Sequence, residues 1–214
     1  MYPAGNLLIP VEHGHLEAIL KEPRQQPPRA VALVLHPHPL GGGTMHNKVV
    51  FRAAAALNDA GLVTLRINFR GVGQSTGAHD EGRGEQEDVR AGIDHLAQQY
   101  SQLPLIVCGF SFGARVGLDV AIKDDRVKYL IGIGTPLDKY DFSFLEACRK
   151  PLLLVHGEHD EYGDVDKLRH LAAELEKRTQ VRLVVIPGAG HFFENRLDQI
   201  KHAIIEWINE QLGR

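Results

Sequence analysis

The stretch that decides the fold is Gly109-Phe-Ser-Phe-Gly113, because it joins two segments of different periodicity. The apolar run Leu103 to Cys108 precedes it with strand character, and residues 114–122 follow with the apolar spacing of a helix. Ser111 therefore falls on a sharp turn between a strand and a helix. Such a turn exposes its central side chain, and flanking glycines let neighbouring backbone come close. The stretch predicts a serine presented to substrate above a helix N-terminus.

A second copy of the same pattern, Gly73-Gln-Ser-Thr-Gly77, occurs earlier in the chain. It lies several residues after the strand-like run 62–69 and continues into residues 78–84, which are polar, glycine-rich and without helical periodicity. We interpret this copy as a loop. The context favours Ser111 over Ser75 as the nucleophile.

Strands and helices alternate along the rest of the chain. Apolar runs predict strands at 30–36, 62–69, 127–133, 151–156 and 181–186, and helical spacing predicts helices at 47–60, 85–100, 165–177 and the C-terminus. Two short segments, 6–12 and 16–22, predict a hairpin. Apolar strands between amphipathic helices are typical of a three-layer α/β/α sandwich with a mostly parallel sheet. We expect a single domain over residues 1–214, without a cap domain because the segment 134–150 is too short for one.

Composition excludes several classes of function. The chain has 214 residues, 43% apolar and 24% charged, which is ordinary for a soluble globular protein. Its formal charge, 24 minus 27, is −3, and no lysine and arginine run indicates a nucleic-acid or anionic-membrane partner. The N-terminus lacks the features of a secretion signal, and no membrane span is expected. A cytoplasmic location and reduced cysteines at 108 and 148 are therefore expected; the oligomeric state is left open.

A serine nucleophile needs a base and an acid that orients the base. His191 follows the strand 181–186 in a glycine-rich loop, and Asp160 follows the strand 151–156, so both would lie at the sheet edge that carries Ser111. The order serine, aspartate, histidine differs from that of trypsin-like and subtilisin-like proteases. Alternative acids remain open, and these are Glu158 in the same loop as Asp160, and Asp138 or Asp141 after the preceding strand, 127–133.

Acyl transfer also needs donors for an oxyanion. The main-chain N–H of Phe112 would supply the first donor, and the second would come from the loop after the strand 30–36. Pro37 and Pro39 have no N–H, which leaves His38 or Leu40. We favour Leu40, because His38 lies close to the strand.

Apolar residues near strand ends are candidates for a substrate pocket. The candidate lining residues are His38, Met45, Leu137, Tyr140, Phe142, Phe192 and Phe193. A zinc site of His36, His38 and His46 is a rival interpretation, but no cysteine or acidic partner is nearby and it would leave Ser111 unexplained. No metal or cofactor is expected.

The motifs Gly109-Phe-Ser-Phe-Gly113, Gly157-Glu-His-Asp160 and Gly190-His191 resemble the α/β-hydrolase superfamily over essentially the full chain. Residues 36–47 and 68–75 are similar to a subgroup of small, lidless bacterial serine hydrolases, carboxylesterase-like and related to dienelactone hydrolases. The resemblance implies an eight-stranded sheet with an antiparallel second strand, and the catalytic triad Ser111, Asp160 and His191. True dienelactone hydrolases carry cysteine in place of this serine, so the resemblance does not extend to a lactone substrate.

The resemblance and the residues together predict a serine hydrolase of small carboxylic esters. The same triad would also serve a thioesterase, a small-peptide peptidase or a perhydrolase, and a non-catalytic binder could use the same pocket. In that subgroup the arginine-glycine loop is architectural, so Arg70 and Asp88 are assigned to structure.

Overall fold

The computed structural model describes residues 5–24 and 27–213. The two ends of the predicted domain, residues 1–4 and 214, lie outside these ranges. The strands within them are β1 (Asn6–Val11), β2 (Gly14–Lys21), β3 (Ala30–Leu35), β4 (Leu62–Ile67), β5 (Leu105–Phe110), β6 (Val127–Ile133), β7 (Leu152–Gly157) and β8 (Val181–Ile186). The α-helices are α1 (Lys48–Asp59), α2 (Arg83–Gln99), α3 (Phe112–Ala121), α4 (Val165–Glu176) and α5 (Leu197–Leu212).

The described strands form one eight-stranded sheet in the order β1-β2-β4-β3-β5-β6-β7-β8. β2 runs antiparallel to both of its neighbours, and the pairs from β4 to β8 are parallel. The predicted α/β sandwich with an antiparallel second strand is therefore confirmed. Since parallel strands end at the same edge, the loops after β3, β5, β6, β7 and β8 meet there.

Both faces of the sheet are covered, which explains why its central strands are apolar throughout. Along β3 all six side chains are buried. The odd-numbered ones pack in the core that includes α2, α3 and α4, and the even-numbered ones pack in the core that includes α1 and α5. A strand alternates its side chains between faces, so a covered sheet requires apolar residues at every position.

The segment between β6 and β7 contains a short 3₁₀ turn, Ser143–Ala147. Within the described ranges, no separate cap domain is inserted there or elsewhere. None of the described helices is both long and apolar enough to cross a membrane.

Arg70 and Asp88 join the loop after β4 to α2. The fully buried Asp88 carboxylate accepts hydrogen bonds from the Arg70 main-chain N–H at 2.8 Å, from its Nε at 3.1 Å and from its Nη2 at 2.9 Å. His13 Nε2, on the hairpin turn, lies 3.2 Å from the same carboxylate. Nothing in this cluster reaches Ser111, and its contacts are those of an architectural link.

Candidate active site

Ser111 lies between the last residue of β5 and the first residue of α3, with φ 56° and ψ −118°. A non-glycine residue at positive φ costs on the order of 1 to 3 kcal/mol and persists only where its surroundings hold it. Here the Ser111 N–H donates to Ile133 O on β6 at 2.9 Å, and the Ser111 carbonyl accepts the N–H groups of Ala114 and Arg115. The strained turn is thus fixed by the neighbouring strand and by the helix that it starts.

The two glycines of the turn, Gly109 and Gly113, are required because there is no room for a side chain at either position. A Cβ on Gly109 would lie 2.3 Å from the Gly113 carbonyl oxygen, and one on Gly113 would lie 2.6 Å from Leu35 O. These distances are far below van der Waals contact, so α3 can approach β3 and β5 only because both positions lack a side chain.

Ser111, His191 and Asp160 form a continuous hydrogen-bonded chain. The distance from Ser111 Oγ to His191 Nε2 is 2.9 Å, and His191 Nδ1 lies 2.8 Å and 3.0 Å from the two Asp160 carboxylate oxygens. Because a carboxylate only accepts, Nδ1 carries the hydrogen, and Nε2 is left to accept the serine proton. The serine is 9% exposed and the histidine 2%, so the chain is largely shielded from water.

The loops that carry His191 and Asp160 are tied together. His159 N–H donates to Ala189 O at 2.8 Å, and His191 N–H donates to the Glu161 carboxylate at 3.1 Å. Tyr162 packs its ring edge to face against the imidazole of His191, with centroids 4.6 Å apart. His191 is therefore held by main-chain contacts as well as by Asp160.

The alternative acids have other partners. Glu158 accepts the Gly188 N–H, Asp141 accepts from Ser143, and Asp138 pairs with Lys167 and accepts the Asp164 N–H. Asp160 is the acid that contacts the imidazole ring of His191.

The loop after β3 contradicts the prediction for Leu40. Residues 39–41 form a 3₁₀ turn, and the Leu40 N–H donates to Nδ1 of His38 at 3.1 Å, while the Leu40 side chain is 77% exposed. Among the described residues, no protein acceptor contacts the N–H of His38 or of Phe112. These two N–H groups are free for an oxyanion, so the geometry favours His38 over Leu40.

A cavity of about 260 Å³ contains Ser111 and His191. Its other lining residues are Pro37, His38, Gly41, Gly42, Gly43, Asn47, Pro136, Lys139, Tyr140, Tyr162 and Phe192. Larger grooves of about 610 and 720 Å³ lie elsewhere, and neither includes Ser111 or His191. His38, Tyr140 and Phe192, three of the candidate pocket residues, thus line the cavity that includes Ser111.

The other predicted pocket residues lie elsewhere. Met45 and Phe193 are fully buried, Phe142 packs against Phe144, and the partly buried Leu137 packs against the core. None of these side chains is among the described residues that line the cavity. The predictions for Met45, Leu137, Phe142 and Phe193 are therefore wrong.

Lys139 and Tyr162 line the cavity and were not identified from the sequence. Both follow a parallel strand, β6 and β7 respectively, and Tyr162 comes two residues after Asp160. Their position after strand ends is the signal that points to them. Both have a polar group, whereas the predicted pocket residues that pack in the core are apolar.

His36 holds the backbone of this edge. Its Nε2 accepts the Phe69 N–H at 3.0 Å, so Nδ1 carries the hydrogen and donates to Pro37 O at 2.6 Å. Burial lowers the pKa of His36 to about 4, which keeps the ring neutral. Both ring nitrogens are engaged, and the described residues contain no group of three or more metal-ligating side chains. The zinc alternative is therefore contradicted.

Ser75, in the second copy of the serine pattern, lies in a loop as predicted. Its hydroxyl donates to Asn68 O at 2.7 Å and accepts the Glu17 N–H at 2.9 Å. This serine holds the loop against β2, and no histidine or carboxylate of the described residues forms a hydrogen bond with its hydroxyl.

Comparisons with known proteins identify the family and the fold. A family model described as an alpha/beta hydrolase domain matches residues 30–207. An uncharacterized protein of Rickettsia prowazekii is 37% identical over 189 residues, which is 85% of this chain and 79% of that protein. The structure of an alpha-beta serine hydrolase homologue from Coxiella burnetii matches with a TM-score of 0.88 and 36% identity, over 96% of this chain and 98% of that one. A serine hydrolase without a lid from Xanthomonas campestris gives a TM-score of 0.88 and 33% identity, over 100% and 98% of the chains.

Proposed function

The chain belongs to the alpha/beta hydrolase family, and we propose that it is a serine hydrolase that cleaves small carboxylic esters through an acyl-enzyme. Family and fold support hydrolase activity. The observation that carries the finer proposal is the hydrogen-bonded chain from Ser111 through His191 to Asp160.

In the proposed mechanism, His191 Nε2 takes the Ser111 proton as the oxygen attacks the ester carbonyl. The resulting oxyanion accepts the main-chain N–H groups of Phe112 and His38, and Asp160 stabilises the imidazolium. Collapse of the tetrahedral intermediate breaks the bond to the alcohol oxygen, which receives the proton from His191. Water then attacks the acyl-enzyme with His191 again as base, and the carboxylic acid and free Ser111 result.

The cavity favours small esters. A volume of about 260 Å³ is below the usual range for drug-sized ligands, and aromatic rings of Tyr140, Tyr162 and Phe192 border it. No cap covers the opening in the part of the chain that the structure describes, so small soluble substrates reach Ser111 directly.

The proposal is tested by labelling the protein with a fluorophosphonate and by assaying 4-nitrophenyl acetate, butyrate and octanoate. The wild-type protein is expected to label and to hydrolyse the short esters. Ser111→Ala removes labelling and lowers kcat by at least about 10³-fold, whereas a folded Ser75→Ala control retains both. A thioester of the same acyl group separates esterase from thioesterase activity. A wild-type protein that neither labels nor hydrolyses an ester overturns the proposal.

A further inference from the structure

Lys139 lies at the edge of the cavity, on the turn that follows β6. Its N–H and that of Tyr140 both donate to Pro136 O, at 3.0 and 3.1 Å, which fixes the turn. Lys139 Nζ lies 5.3 Å from the centre of the Tyr162 ring, and that ring contacts the imidazole of His191. A single aromatic ring therefore connects the ammonium group to the proposed catalytic base.

The charge of Lys139 is not neutralised within the cavity. Lys139 is the only lysine or arginine among the described lining residues, and none of them is an aspartate or glutamate. The nearest acid in sequence, Asp138, lies within electrostatic range of Lys139 but forms its ion pair with Lys167, and Glu161 accepts the His191 N–H. Among the described residues, no carboxylate forms an ion pair with Lys139.

We infer that the cavity takes esters that carry a carboxylate, and that Lys139 pairs with this carboxylate. The inference rests on the proposed function and names its substrate class. A cation that has no carboxylate beside it in the lining of a small cavity attracts an anionic ligand and repels a cationic one. An ammonium is a point charge on a flexible chain, so it can reach a carboxylate on the acyl or on the alcohol side of the ester.

Two matched ester pairs test this inference. The 4-nitrophenyl monoester of adipic acid is compared with 4-nitrophenyl hexanoate, and the butyrate ester of 4-hydroxybenzoate with that of 4-hydroxybenzamide. Rates from Ser111→Ala protein are subtracted as background. We expect wild-type kcat/KM to favour the anionic member of at least one pair by about tenfold at low salt, and this preference to shrink as salt screens the charge. The pair that shows the preference tells on which side the carboxylate binds.

Variants assign the preference to Lys139. Lys139→Met, which keeps the length of the side chain, lowers the ratio of anionic to neutral kcat/KM about tenfold, and Lys139→Arg retains most of it. Lys128→Met is the control, because Lys128 is exposed at the opposite end of β6 and the variant changes the net charge equally. It leaves the ratio unchanged.

Equal ratios in wild-type and Lys139→Met protein for both pairs overturn the inference. The proposed function stands in that case if the neutral esters are still hydrolysed through Ser111. Absence of both labelling and hydrolysis overturns the proposed function, and it also overturns the inference that the substrate carries a carboxylate.

Discussion

The imidazole of His36 accepts the main-chain N–H of Phe69 at 3.0 Å and thereby joins the loop after β4 to the end of β3. This hydrogen bond exists only while Nε2 is unprotonated. Proton binding to His36 would place two donors against each other in a buried site. The contact therefore couples the stability of the sheet edge to pH.

We expect stability to fall as pH decreases from about 6.5 towards 4. The pKa of His36 is lowered from 6.5 to about 4 by burial, so the unfolded chain binds a proton in this range before the folded chain does. The stabilisation that comes from neutral His36 is fully present above pH 6.5. It is lost as the pH falls from 6.5 to about 4, and the total loss in the free energy of unfolding is about 3 kcal/mol. Urea unfolding at pH 8, 6.5, 5 and 4 measures it. His36→Gln removes this titration, and parallel pH profiles for the two proteins would contradict the assignment.

The second oxyanion donor is tested at position 38. The φ of His38 is −51°, which proline can adopt, so His38→Pro removes the N–H with little change of backbone. We expect kcat for 4-nitrophenyl butyrate to fall about 10²- to 10³-fold relative to His38→Ala, which loses the ring but keeps the N–H. Equal kcat in the two variants would contradict this assignment and would indicate that another N–H of this loop is the second oxyanion donor.

The substitution Gly113→Ala tests whether α3 must lie as close to β3 as the structure shows. In Gly113→Ala the new Cβ meets Leu35 O and His36 O at 2.6 Å, and backbone has to move. We expect a loss of about 3 kcal/mol or more in the free energy of unfolding, or failure to fold. Gly42→Ala is the matched control, because Gly42 has φ 79° but no atom within 4 Å of the added Cβ. That variant loses about 1 kcal/mol. Similar losses in urea unfolding would count against the steric argument.

Asp88 tests the architectural role of the arginine loop. Asp88→Ala leaves the Arg70 guanidinium without its main partner in a largely buried site, and we expect a loss of about 3 kcal/mol in the free energy of unfolding. Asp88→Asn keeps an acceptor and loses less. Since Asp88 does not contact the cavity, kcat of the folded Asp88→Asn protein should stay within about threefold of wild type. A much larger fall in kcat without loss of stability would assign Asp88 to the chemistry.

The sheet and the arrangement of the three residues of the proposed triad follow from the sequence for one physical reason. Ser111, Asp160 and His191 each come after an apolar run, and parallel strands bring their carboxyl ends to one edge. These three residues come together because of the topology of the sheet, and the hydrophobic pattern of the sequence largely determines that topology. The order of the strands within the sheet is not visible in that pattern.

The details of the loops do not follow from pattern in the same way. Leu40 loses its predicted role through one local hydrogen bond to His38, which depends on a turn of three residues. Met45 and Phe142 are apolar and follow strands, yet the fold of each loop turns them into the core. Lys139 reaches the cavity through the turn at Pro136. Tertiary contacts and the backbone angles of single residues determine where these loop side chains lie.

The hydrogen bond from Ser111 N–H to Ile133 O has an evolutionary consequence. The main chain of Ser111, the proposed nucleophile, is held by the adjacent strand β6 and not by the side chains of the turn 136–140. Mutational drift in the turn 136–140 can therefore alter which molecules are accepted while the reacting groups stay in place.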